Sequence, residues 1–137
     1  MNDQRPGDDA GPERPRDPGD LGRLFLERAN AGDVDGVVAL YEPDAVLVGP
    51  SGERVFGTEA IRAVYEKFLA SGPTFAGDVR PPLRVGDLAL TSTQFNVITA
   101  DGDGRTFAAR TATAEVARQQ PDGTWLWVMD QPNVLGP

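Results

Sequence analysis

The spacing of apolar residues changes once along the chain. Before Pro73 they recur mostly at helical intervals, and beyond it they alternate with polar residues at every second position. Leu21, Leu24, Phe25 and Arg28-Ala29 mark a first helix, with the Arg28 stem covering the edge of the stripe and Gly32 as C-terminal cap. Asp33 is suited to N-cap a second helix carrying Val34, Val37, Val38 and Tyr41 on one face, ended by Pro43. Ala45-Val46-Leu47-Val48, the turn Pro50-Ser51-Gly52 and Arg54-Val55-Phe56 read as two short paired strands. Thr58 then caps the clearest helix, with Ile61, Val64, Tyr65, Phe68 and Leu69 on one face and Ser71-Gly72-Pro73 as its stop.

The turn signals Val85-Gly86-Asp87, Asp101-Gly102-Asp103-Gly104 and Pro121-Asp122-Gly123 divide the remainder into four strands, near residues 74–84, 88–99, 105–119 and 124–133. Three hairpins in succession predict a mostly antiparallel meander. Strands of this length exceed the usual five or six residues, so the sheet must twist and bend strongly. The expected fold class is α+β, a strongly curved sheet with three helices in its concave face, forming a cone with a pocket.

Residues 1–20 are rich in Pro and Gly and hold no large apolar residue after Met1, so they are expected to form a disordered tail on a single domain spanning 21–137. The 137 residues are 39% hydrophobic and 25% charged, in the globular range. With 13 basic against 21 acidic residues the net charge is -8, and Lys67 is the only lysine, so nucleic acid is not an expected partner. The absence of cysteine and histidine excludes disulfides, a thiolate nucleophile, zinc–sulfur sites and the commonest general base. No secretory signal pattern and no apolar run near the roughly 18 residues of a membrane span is present, so no membrane partner and a cytoplasmic location are expected.

Asn30-Ala31-Gly32-Asp33-Val34-Asp35 between two helices, Tyr41-Glu42-Pro43-Asp44-Ala45 before an apolar strand, Gly57-Thr58-Glu59-Ala60-Ile61-Arg62, and a meander closing on Pro121-Asp122-Gly123-Thr124-Trp125 together resemble the nuclear transport factor 2-like superfamily, over roughly residues 20 to 134. Trp125-Leu126-Trp127-Val128-Met129-Asp130-Gln131-Pro132-Asn133 is most similar to SnoaL-like and SgcJ/EcaC-type members. The resemblance implies a cystatin-like roll, pairing into a homodimer through the open sheet face, and a place in secondary-metabolite, polyketide-type biosynthesis. It does not carry over a complete catalytic set. The three places matching the ketosteroid isomerase tyrosine, aspartate base and buried acid are Phe25, Gly49 and Glu115. Of the limonene-epoxide hydrolase acids and arginine, only Asp130 has a counterpart, the Arg-x-Asp pair falling near Thr93 and Phe95.

Asp130 is the leading catalytic candidate, an acid at the end of an apolar strand whose desolvation would suit it to proton transfer. Alternation places it with Leu126 and Val128, opposite Trp125, Trp127 and Met129, whose exposure on a bare face would also favour a homodimer. Glu115, on the neighbouring strand, is the candidate second acid; its ordinary alternative is a solvated face. Gln94 and Asn96, sharing a face with Ser92, could arrange amides around a carbonyl or hydroxyl, or equally line a dimer face or solvated edge. Arg110 could bind an anionic group or join a surface ion pair. Tyr41 and Tyr65 are candidate hydroxyl donors on helix faces that otherwise read as core. No carboxylate spacing fits a metal and no Gly-rich phosphate loop is present, so no metal or cofactor is expected. The pattern suits a protein binding a largely apolar, oxygen-bearing small molecule, with cofactor-free acid–base catalysis such as cyclisation, isomerisation or hydration. The alternatives are a non-catalytic carrier and a dimeric assembly module with a vestigial pocket.

Overall fold

The structure, a computed structural model, describes residues 11–135. Helix α1 (Pro18–Asn30) begins earlier than the apolar spacing suggested, because Asp17 and Asp20 form a capping box ahead of it and Pro18 fits the first turn. Its start belongs to the packed domain. Pro15 O accepts from Trp125 N at 2.8 Å, Glu13 O accepts from the buried Arg28 guanidinium, and Arg14 pairs with Asp122. The tail expected over residues 1–20 is therefore cut short by residues 13–20, which are held by backbone and ion-pair contacts that need no apolar side chain. Residues 1–10 lie outside the described residues.

Helix α2 (Val34–Val38) is capped by Asp33, whose side chain accepts from Gly36 N. It ends before Tyr41, which opens strand β1 (Tyr41–Val48) rather than extending the helix face. Pro43 sits where β1 bulges away from its parallel partner, a position that needs no ladder N–H. Strand β2 (Arg54–Phe56) pairs back on β1 as expected, and helix α3 (Thr58–Leu69) takes Gly57, not Thr58, as its N-cap. Gly57 has φ +90°, which a side chain there would resist.

The four long strands expected after Pro73 are interrupted into seven: β3 (Thr74–Val79), β4 (Leu83–Val85), β5 (Leu88–Thr91), β6 (Thr93–Ala100), β7 (Thr106–Ala112), β8 (Ala114–Gln119) and β9 (Trp125–Gln131). The breaks create the curvature. Pro81 and Pro82 separate β3 from β4, and the chain leaves one sheet for the other at Ser92 and again at Thr113. There Thr93 N donates to Thr113 Oγ1, Thr113 N to Thr93 O, and Ser92 Oγ to Thr113 O, so the bend keeps its polar groups bonded. A six-stranded sheet in the order β2-β1-β9-β8-β5-β4 continues into a three-stranded sheet β3-β6-β7. Pairing is antiparallel apart from β9 beside β1. This is the expected α+β architecture, a large curved sheet, not closed, with three helices.

Strand β9 departs from simple alternation. Its register slips between Trp127 and Met129 against both neighbours, leaving Val128 as the extra residue of a bulge. Asp130 thereby shares the inner face with Trp125 and Trp127, not with Leu126 and Val128. Both tryptophans are buried and only Met129 is turned out, so the tryptophans form no exposed apolar patch. The inner face carries two cross-strand rows. Ala89, Ala117, Trp127 and Tyr41 form one, the small alanines leaving room for the indole; Thr91, Glu115, Asp130, Leu47 and Val55 form the other. Helices α1 and α3 cover this face with Leu21, Leu24, Ile61, Tyr65 and Leu69.

Candidate functional site

A cavity of about 670 Å³ opens between α1, α3, the turn after β1 and the three-stranded sheet. Its wall is largely aromatic, with Phe25, Tyr65, Phe68, Phe75, Phe95 and Phe107 all contributing. Phe25 meets Tyr65 and Phe75 edge-on at 6.0 and 5.7 Å between centroids, and Phe68 meets Phe75 at 5.6 Å and 90°. Such edge-to-face packing fixes the ring orientations, so the wall is preformed. Its volume and apolar lining suit a small organic molecule.

Behind the wall runs a chain of buried polar groups. The Tyr65 and Tyr41 hydroxyls lie 2.7 Å apart, and the Tyr41 hydroxyl donates to Asp130 Oδ2 at 2.5 Å. Asp130 faces Glu115 directly across the β8–β9 ladder. Glu115 Oε1 accepts from Thr91 Oγ1 at 2.7 Å, and Thr91 Oγ1 accepts in turn from Trp127 Nε1 at 3.0 Å. The second Asp130 oxygen, Oδ1, is buried and accepts no hydrogen bond among the described residues. An unsatisfied buried carboxylate oxygen is expensive, and a proton on it would lower that cost.

The electrostatics follow from burial. Desolvation pushes Asp130 up to about 7 against the opposing pull of the Tyr41 hydrogen bond. Desolvation, then the neighbouring Asp130 charge, pushes Glu115 up to about 8. Two carboxylates so close titrate as a pair, and near neutral pH the pair keeps a proton between them. Tyr41 and Tyr65 are driven well above their ordinary range, chiefly by burial and next by the Asp130 charge, so both remain neutral hydroxyl donors. The arrangement can therefore present a hydroxyl at the cavity wall with a protonatable acid pair behind it.

Five of the seven residues singled out from the sequence fall near this site. Tyr65 is in the wall; Tyr41, Asp130 and Glu115 form the layer behind it and do not line the cavity; Arg110 borders the cavity from the edge strand β7 and is exposed. Gln94 and Asn96 do not line the cavity. Both are exposed on the outer face of β6, because Thr93, Phe95 and Val97 take the inward positions. Phe25 and Gly49 line the cavity. The residues not foreseen are Thr91 and Trp127, which complete the polar chain; their roles depend on cross-strand register, which no spacing within one strand reveals. Among the described residues, no three acidic side chains gather as a metal ion would require, and no helix is long and apolar enough to cross a membrane.

An aromatic cavity between helices α1 and α3 and a bent sheet, with a chain of buried polar groups behind one wall, makes a cone of the nuclear transport factor 2-like kind. Residues 23–126 match the family model of the SnoaL-like domain, and the chain belongs to that family. Among solved structures, a ketosteroid isomerase-like protein from Erwinia carotovora atroseptica superposes with a TM-score of 0.76 at 19% identity, covering 86% of this chain and 93% of that one. A domain of unknown function with a cystatin-like fold from Nostoc punctiforme gives 0.73 at 18% identity, over 86% and 75% of the two chains. A nuclear transport factor 2-like protein from Novosphingobium aromaticivorans, again with a cystatin-like fold, gives 0.67 at 20%, over 85% and 78%. At these identities the likeness is one of fold. No curated protein matches the chain in sequence.

Proposed function

We propose that the protein binds a largely apolar small molecule carrying a carbonyl or hydroxyl oxygen, with that oxygen against Tyr65, and carries out cofactor-free acid–base chemistry on it such as cyclisation, isomerisation or hydration. The observation that carries this reading is the joining of Tyr65, in the wall of an aromatic cavity, through Tyr41 to the buried acid Asp130. A neutral hydroxyl backed by an acid pair can donate to an oxygen as negative charge develops on it, in surroundings where such a bond is stronger than in water. Isomerase-type chemistry is also what the description of the Erwinia neighbour suggests. A place in secondary-metabolite, polyketide-type biosynthesis rests on the resemblance to SnoaL-like proteins alone.

A homodimer is part of the proposal. Its support is a row on the outer face of the six-stranded sheet, where register aligns Phe56, Val46, Met129, Val116, Leu90 and Leu83 across every strand. Phe56, Met129, Leu90 and Leu83 in that row are exposed, a continuous apolar stripe of the kind a partner covers.

One observation favours a carrier instead. Neither Asp130 nor Glu115 lines the cavity, so a ligand would meet mainly aromatic and apolar side chains, with hydroxyls and amides at Ser51, Tyr65, Thr99, Thr111, Gln131 and Asn133 and no carboxylate. Titration with neutral bicyclic ketones and phenols, followed by tryptophan fluorescence, tests both readings. Saturable binding weakened about five- to tenfold by Tyr65→Phe is the expected outcome, the equivalent of one hydrogen bond of about 1 kcal/mol. Binding that Tyr65→Phe leaves unchanged would remove the oxygen from Tyr65 and leave the carrier.

A further inference from the structure

Strand β7 is an edge of the three-stranded sheet and borders the cavity. Its register with β6 decides which of its backbone groups are paired. Thr113 N donates to Thr93 O at 3.0 Å at one end of the ladder, and Asp101 N donates to Arg105 O at 2.9 Å at the other. The directly bonded pairs between them are therefore Thr111 with Phe95, Ala109 with Val97 and Phe107 with Thr99. Thr106, Ala108, Arg110 and Ala112 alternate with these and turn both N–H and C=O away from β6.

A strand that met the cavity with one face would contribute every second residue, yet Phe107 through Thr111 line it without a gap. Ala108 and Arg110 pair with Ile98 and Asn96, which are exposed on the outer face, so their own side chains lie there too. What they bring to the cavity is main chain. The same edge is already paired one position further along, where Val134 N donates to Ala112 O at 2.8 Å and the Thr111 hydroxyl donates to Pro132 O at 2.8 Å. Beyond that point, among the described residues, nothing bonds to Ala108 O or Arg110 N. These two groups flank Ala109, whose methyl is smaller than the inward side chains of Phe107 and Thr111 on either side and leaves room above it. An open strand edge of this kind takes an extended amide chain as a further strand.

We propose that the β7 edge is a second binding subsite of the cavity, and that the ligand it takes is an aromatic or other apolar acyl group joined to one amino-acyl unit, –NH–CHR–CO–. The assignment rests on the reading of the cavity as a ligand site. The apolar group sits among Phe25, Phe75 and Phe95, and the amino-acyl unit lies extended over Ala109. Its N–H donates to Ala108 O and its C=O accepts from Arg110 N, the pairing of one residue with a parallel strand. A simple ketone or phenol has no donor and acceptor at that spacing and leaves the edge to water. The subsite therefore selects for an amide-bearing tail by main chain alone, and its specificity does not depend on the Arg110 guanidinium.

The test compares two probes with the same ring system and carbonyl, N-(2-naphthoyl)glycinamide, which carries the amino-acyl unit, and 2-acetonaphthone, which ends at the ketone. Binding to the full chain is measured by titration calorimetry, and exchange of backbone N–H groups with water by NMR. The glycinamide should bind about tenfold more tightly than the ketone, the equivalent of two modest hydrogen bonds. It should also slow exchange of the Arg110 N–H at least tenfold, which the ketone should not do. Arg110→Pro removes that N–H and no bond to β6, a change an edge strand tolerates, and should erase most of the preference for the glycinamide. The exchange measurement needs no variant, so it decides the matter even where Arg110→Pro does not fold. Equal affinity for the two probes, or a bound glycinamide with Arg110 N–H exchange unaltered, overturns the edge assignment and leaves the cavity standing as a ligand site. Absence of saturable binding by either probe removes the ligand site itself, and the assignment with it.

Discussion

Replacing Asp130 with asparagine should flatten the dependence of stability on pH, and the composition makes this unusually easy to read. The chain has no histidine and no cysteine, so between pH 5 and pH 7 ordinary side chains do not titrate in the unfolded state. In the folded state two do, Asp130 rising to about 7 and Glu115 to about 8. Near pH 5 both acids are protonated when folded and largely ionised when unfolded, and near neutral pH the folded pair still keeps a proton, so the folded protein carries the additional protons. Stability is fully present below about pH 4 and is lost as pH rises through the folded values. With between one and two extra protons the loss is on the order of 1 to 3 kcal/mol per pH unit, about 5 kcal/mol at most from pH 5 to pH 7. At about 3 °C per kcal/mol, the melting temperature should drop on the order of 10 °C over that interval. Asp122, held down to about 2 chiefly by Thr124, works in the opposite sense only in strong acid, outside this window.

Asp130→Asn keeps an oxygen for the Tyr41 hydroxyl and removes one titration, so the slope should halve. Asp130→Asn combined with Glu115→Gln should be nearly flat. The assay is thermal unfolding at pH 5, 6 and 7, followed by the fluorescence of the buried Trp125 and Trp127. A wild-type melting temperature that stays level or rises from pH 5 to pH 7, or a single variant that runs parallel to it, would show that the acid pair is not protonated in the fold and would remove the proton source behind Tyr41.

Truncation should divide sharply within the first twenty residues. Removal of residues 1–10 is expected to leave the melting temperature within about a degree. Removal through Asp17 should lower it by several degrees, since Glu13, Pro15 and the α1 cap are all lost, a cap alone being worth about 1 kcal/mol. Light scattering at micromolar concentration should return about twice the 14.6 kDa chain mass. Leu90→Arg, in the middle of the outer apolar row, should return a monomer that still binds ligand; a monomeric wild type would refute the dimer. Gly77→Ala should destabilise the fold by more than 2 kcal/mol in a urea titration, because a Cβ there would lie 2.2 Å from the Gln94 carbonyl oxygen.

The residues whose places were legible are those whose neighbours lie close in sequence. Ile61, Tyr65 and Leu69 fall on one helix face because the helical repeat alone puts them there, and the pairing of Val46 with Phe56 follows from a short turn between two apolar runs. Tyr41 was misplaced for a local reason. It follows two valines at helical spacing, but α2 ends after a turn and a half and the chain turns out to form a strand. Short apolar segments of this kind carry no decisive period.

The site itself was harder to read because strand parity is reset by single residues. In β6 the polar residues Gln94 and Asn96 drew attention, yet Phe95 and Val97 of the same strand hold the cavity side, and apolar-in alternation favoured them from the start. In β9 the same rule failed. Trp125 and Trp127 obey it, and the extra residue Val128 then turns Asp130 back to the inner face beside Glu115. A bulge costs one residue of register and has no composition of its own, so the sequence offers no sign of it beyond an acid at the end of an apolar run. That acid is where the fold concentrates its unsatisfied polarity. Without the bulge, Asp130 would face water, its carboxylate would ionise normally, and the Tyr41–Tyr65 pair would end in the apolar core with no proton source behind it. The one-residue slip therefore creates the chemistry of the inner wall, and any relative whose last strand lacks it should hold a cavity of similar shape with ordinary acids.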